Sequence, residues 1–201
     1  MTLVEGQHAR DLTRAAFEAV KNGEVSVQAP QRALSWDQAK VYRVDAEETT
    51  STSVTIPVDG DYSLVSNLTV LFDENGDIVQ YSETLISENK EGNFNITSFT
   101  DGVLVNSNDT DQPYMTDEQL QQGANSGAGS SESMTAMGVG STVACVASVL
   151  GVSGATGYLI VSACTGACTI PGAGTSVCVA CIGAYATVGG ASITAVASCF
   201  G

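Results

Sequence analysis

Apolar residues in the first half of the chain recur with two different periods. Ala9, Leu12, Ala16, Phe17 and Val20 fall at helical spacing and Lys21-Asn22-Gly23 supplies a stop, so residues 5–22 read as one amphipathic helix. Beyond residue 40 the signal becomes β-rich. Strands are predicted over Lys40–Ala46, Ser51–Val58, Leu64–Phe72, Ile78–Ser87 and Phe94–Thr100, with a short last run at Val103–Val105. Asp59-Gly60, Asn75-Gly76, Glu91-Gly92 and Asp101-Gly102 mark turns between most of them. The strongest hairpin signal, LTVLFDENGDIVQYSE, is centred on Asn75-Gly76 and reads as a type I′ turn. Residues 1–106 are therefore expected to form an α+β domain, one helix on an antiparallel β meander.

The pattern fades in residues 107–132, SNDTDQPYMTDEQLQQGANSGAGSSE. Thr116 with Gln119 can form a capping box for one short helix ending near Gly123. The run from Gly123 to Ser131 lacks bulky side chains, so the segment reads as a flexible linker with a candidate cleavage region at Gly123, Gly127 and Gly129.

Charge then divides the chain. All 22 acidic and 7 basic residues, and hence the whole net charge of −15, lie at or before Glu132, whereas Ser133–Gly201 carries no charged side chain. All six cysteines lie in that neutral block, spaced C-x18-C-x3-C-x9-C-x2-C-x17-C. An even cysteine count in a short neutral block points to disulfides and an oxidising compartment, so the protein is expected to be secreted. The spacing is close to a mirror image. Pairing outermost with outermost gives Cys145–Cys199, Cys164–Cys181 and Cys168–Cys178, all centred near Pro171-Gly172, a turn by its own chemistry.

Cys164 and Cys168 are four apart and Cys178 and Cys181 three apart, which puts each pair on one face of a helix. The block is thus expected to be a small all-α, disulfide-linked helical hairpin. Each arm would be ~28 Å long, close to the ~30 Å hydrocarbon thickness of a bilayer. Cys145 falls about 100° off the seam of a straight helix; Gly151, Gly154 and Gly157 offer places to bend it. Three other readings stay open. The Val, Ile and Thr content permits strands, the block can be a small secreted domain with a buried Ala/Val core, and Cys164, Cys168, Cys178 and Cys181 can supply four thiolates to zinc. The apolar surroundings and the two further mirrored cysteines weigh against zinc, and no metal is assigned.

Other candidates are weaker. The acidic balance argues against nucleic acid as a partner. Residues 1–25 are charged and lack a continuous apolar stretch, so they do not read as a signal peptide; export would be encoded in a segment trimmed from this chain or follow another route. His8 sits on an exposed helix face with no nucleophile motif nearby, and Trp36 reads as core. Asp73-Glu74-Asn75-Gly76-Asp77 with Glu83 resembles a calcium loop at the wrong spacing. Sequons begin at Asn67, Asn95 and Asn108. No catalytic set or cofactor motif appears, and no enzyme is expected.

The segment Ser141–Gly201, with ACTGACTIPGAGTSVCVAC at its heart, following a charged globular part and a linker, resembles the precursors of halocin-type bacteriocins and related secreted antimicrobial peptides. The resemblance implies that processing releases the C-terminal peptide as a toxin and that the N-terminal part confers immunity. Its partners would be a target-cell membrane or receptor and the chain's own N-terminal domain, acting as immunity or chaperone moiety. The alternative is a cell-surface binding domain anchored to the membrane by the C-terminal hairpin.

Overall fold

A computed structural model describes residues 2–45, 50–125 and 140–169, together with Cys181, Tyr185 and Cys199; side chains are described for these residues except Asp45, 123–125 and 166–169. The chain divides into two compact units, residues 1–87 with 95–108, and residues 88–94 with 109–201.

Helix α1 (Gly6–Asn22) ends at Gly23, whose left-handed φ of 79° suits a residue without Cβ and lets its N–H reach Val20 O at 3.2 Å. Its buried face is Leu12, Ala16, Ala19 and Val20. Phe17, expected on that face, is 41% exposed and instead meets Trp36 edge-on, with ring centroids 5.3 Å apart.

The sheet runs in chain order: β1 (Thr2–Val4), β2 (Lys40–Asp45), β3 (Thr50–Pro57), β4 (Asn67–Phe72), β5 (Ile78–Glu88), β6 (Asn93–Thr100) and β7 (Val103–Pro113). The register Val41↔Val54, Val54↔Val70 and Val70↔Tyr81 places like-facing residues opposite one another. Val41, Val54 and Val70 join the α1 face in one core with Ile56, Leu68 and Phe72. The fold is α+β, an N-terminal helix on a seven-stranded antiparallel sheet followed by helices linked by disulfides.

The turns differ in kind from one another. At Asn75-Gly76 only Gly76 has positive φ, 87°, and its N–H bonds Asp73 O at 3.2 Å. That is a three-residue loop with a glycine bulge, not the expected type I′ turn. Asp73 decides it: one carboxylate oxygen accepts from the Asn75 and Asp77 amides at 2.8 and 2.9 Å, and these bonds, Asp77's foremost, hold its carboxyl below the usual range. Asn89 repeats the device, accepting from the Glu91 and Asn93 amides at 2.9 and 3.0 Å beside Gly92 at φ 79°. The type I′ signature falls instead at Asp101-Gly102, where both φ values are positive, 49° and 76°.

Strand β7 continues to Pro113, seven residues into the segment expected as linker. Backbone pairing with β6 does not need apolar side chains, so Asn106–Gln112 pairs without an alternating pattern. Thr110, buried, donates its hydroxyl to Phe94 O at 2.9 Å, and the Tyr114 ring packs on Phe94 at 5.1 Å. Helix α2 (Asp117–Asn125) then starts in a capping box: the Thr116 N–H donates to Gln119 Oε1 at 2.8 Å, and the Gln119 N–H to Thr116 Oγ1 at 3.4 Å. Gly123 lies inside this helix; Gly127 and Gly129 lie outside the described residues.

Candidate functional site

The neutral block contributes helices α3 (Gly140–Leu150) and α4 (Gly154–Thr169). Gly151 separates them at φ 66°, and the Val152 N–H bonds Ala147 O at 3.1 Å, closing α3 with a Schellman cap. Ser153 opens α4, its hydroxyl accepting from the Thr156 N–H at 3.1 Å while Gly157 N–H bonds Ser153 O at 2.9 Å. The two helices are bent by 114°. The straight, bilayer-length arm expected between Cys145 and Cys164 is therefore an elbow, because each half has its own backbone cap. With the bend in place, Cys145 and Cys164 do not need to share one straight helical seam.

The structure joins Cys145 to Cys199 and Cys164 to Cys181, with Cα–Cα distances of 5.7 and 5.8 Å. Both distances lie within the normal disulfide range. These are the outer and middle pairs of the nested scheme. The third pair, Cys168–Cys178, and the turn at Pro171 and Gly172 lie outside the described side chains. With Cys164 and Cys181 bonded to each other, two of the four thiolates a zinc site would need are consumed. Disulfides are consistent with an extracellular or otherwise oxidising compartment.

Burial separates the helices. In α3 the buried residues Val143, Val146 and Leu150 form one stripe, while Ser141, Ala144 and Ser148 face solvent. In α4 the six consecutive residues Thr156–Val161 are all buried, more than a full turn, so every face of its first half is covered. Among the described residues no single helix is long and apolar enough to cross a membrane; only the bent pair Gly140–Leu150 and Gly154–Thr165 passes that test together.

Gly157 sits where the helices touch. A Cβ there would lie 2.9 Å from Ala147 Cβ and 3.1 Å from the Val143 carbonyl oxygen. Gly157→Ala is expected to destabilise this unit by about 1–3 kcal/mol, since backbone cannot yield as a flexible side chain can. Thermal unfolding of the variant checks this; an unchanged melting temperature would contradict the contact.

The remaining candidates lie in the first unit. His8 is exposed on α1, and Trp36, read as core, is partly buried beside Phe17. Asn67 is buried and its amide donates to Val65 O, so that sequon is closed off, while Asn108 is exposed. Glu83 does not approach the 73–77 loop. It is 1% exposed and accepts from the Gln28 and Ala29 amides at 2.8 and 2.9 Å, pinning the loop after α1 to β5. Burial, opposed by those two bonds, pushes its carboxyl above the usual range. Sequence reasoning missed this brace because its partners are backbone amides some 54 positions away.

Within the second unit, the stretch after Glu132 is thus a charge-free block whose helices α3 and α4 are tied by disulfides. No protein-family model, curated protein or solved structure matches the chain.

Proposed function

We propose that this protein is a secreted precursor of a membrane-active, bacteriocin-like antimicrobial peptide, with the C-terminal block as the toxin and the acidic N-terminal part as carrier or immunity moiety. The observation that carries the reading is the boundary at Glu132: every charged side chain lies at or before it and every cysteine after it. Side chains with no formal charge avoid the several-kcal/mol cost that Asp, Lys or Arg would meet in hydrocarbon. The net charge of −15 keeps the uncut chain soluble. Burial of Leu159, Ile160 and Val161 in α4 adds a condition: once the linker is cut, the elbow must open at the bilayer with its bridges intact before this apolar surface meets lipid.

The test is limited proteolysis of the full-length protein in the Gly/Ser-rich stretch containing Gly127 and Gly129, followed by dye-release and killing assays. The cut, oxidised material is expected to permeabilise vesicles and kill sensitive cells, and the uncut chain to do neither. Full-length protein held in membranes without a released fragment would instead favour the anchored binding domain.

A further inference from the structure

A groove of about 730 Å³ opens between α1 and the β1–β2 edge of the sheet. Pockets of this size are typical of small-molecule sites. Its apolar wall includes Leu3, Phe17 and Trp36, and two of these are unusually open, Leu3 at 50% and Phe17 at 41% exposure. The rim carries Arg10, Arg14 and Lys40, three of the chain's seven cations, with the carboxylates of Glu5 and Asp37. Arg10 donates to Gln7 Oε1 at 2.9 Å, but among the described residues none of the three forms an ion pair. A rim with three cations against two carboxylates, in a chain with 22 acidic residues and beside partly exposed aromatic surface, makes a locally cationic place for an amphipathic anion.

The size of that anion follows from the rest of the charge. Nucleic acid, an acidic protein or an anionic bilayer would meet the field of the whole chain, with its net −15, and be repelled. A single small anion meets a rim of three cations against two carboxylates, and little of the more distant field, which salt screens within ~8–10 Å. We infer that this groove binds a free amphipathic carboxylate, its hydrocarbon part against Leu3, Phe17 and Trp36 and its head group at the rim of Arg10, Arg14 and Lys40. This site is independent of the toxin reading and stands or falls separately from it.

Trp36 is the chain's one tryptophan, so its fluorescence reports on the groove directly. The full-length protein is titrated with decanoate, with decanol as the uncharged counterpart, and with anionic phospholipid vesicles as a membrane surface. Decanoate is expected to shift the Trp36 emission saturably at one per chain, with affinity falling as salt rises. Decanol and the Arg14→Glu/Lys40→Glu double variant are expected to bind at least about tenfold more weakly, a loss of ~1.4 kcal/mol. Both substituted side chains are exposed, and circular dichroism checks that the variant folds; Arg14→Gln alone should show a smaller loss in the same direction. Equal affinity for decanol, undiminished decanoate binding by both variants, no saturable response, or a response to vesicles alone would overturn the inference.

Discussion

Replacing Cys145 and Cys199 together by Ala is expected to lower the unfolding free energy of the second unit by about 4 kcal/mol, and replacing Cys164 and Cys181 by about 3 kcal/mol. The order follows from chain entropy. The outer bridge closes a loop of 54 residues and the middle one a loop of 17, and a longer loop restricts the unfolded chain more. Alanine is preferred to serine because Cys164 is fully buried and a hydroxyl there would add its own cost. Denaturant unfolding of the full chain, followed by a probe of helix content, measures both effects. Losses in the reverse order would contradict the loop-length argument, and no loss for either pair would show that these bridges do not hold the block together. Losses of this size are comparable to the whole stability of many small domains, so reduction alone is expected to open the fold.

Glu83→Ala should cost about 2–4 kcal/mol, because it strands the Gln28 and Ala29 amides inside the first unit without an acceptor. Glu83→Gln keeps the shape and one acceptor but turns an NH₂ toward the second amide, so a loss of about 1–2 kcal/mol is expected. Glu83 also makes stability depend on pH. A carboxyl raised above its usual value contributes stability that is fully present below the unfolded value of 4.5 and is lost as pH rises through the folded value. The stability difference between wild type and Glu83→Gln should therefore shrink as pH rises from below 4.5. Asp73, whose carboxyl is held low, works in the opposite direction: its contribution is present above its unfolded value and fades as pH falls through the folded one. Comparing urea midpoints of the two proteins across acidic pH isolates Glu83, since Asp73 is common to both. A difference that grows with pH would contradict the burial argument.

Local chemistry made much of the first unit readable in advance. The stop at Gly23 needs a positive φ that glycine adopts freely, and β2 to β6 carry enough apolar residues to declare themselves. Three features were not readable, each for its own reason. β1 is only three residues long, too short for a period to show. β7 is polar beyond Val105 and owes its length to pairing with β6. Asn-Gly at residues 75–76 suits both two- and three-residue loops, and the Asp73 side chain, not the dipeptide, selects between them.

In the neutral block, glycine spacing showed that helices could approach or bend but not which glycine did which. Gly151 turns out to end a helix, and Gly157 to admit a neighbour. The nested pairing was legible for Cys145–Cys199 and Cys164–Cys181 because their midpoints coincide. The burial of α4 was not legible, since an uncharged apolar helix has the same composition whether lipid or protein surrounds it.

The joint between α3 and α4 is built from one glycine, one serine hydroxyl and main-chain bonds, with no acid or base within it. Brine and vinegar therefore have nothing there to titrate or screen. The hinge itself keeps its bonds through changes of medium that would shift charges elsewhere in the chain, and yields to heat or to a thiol instead.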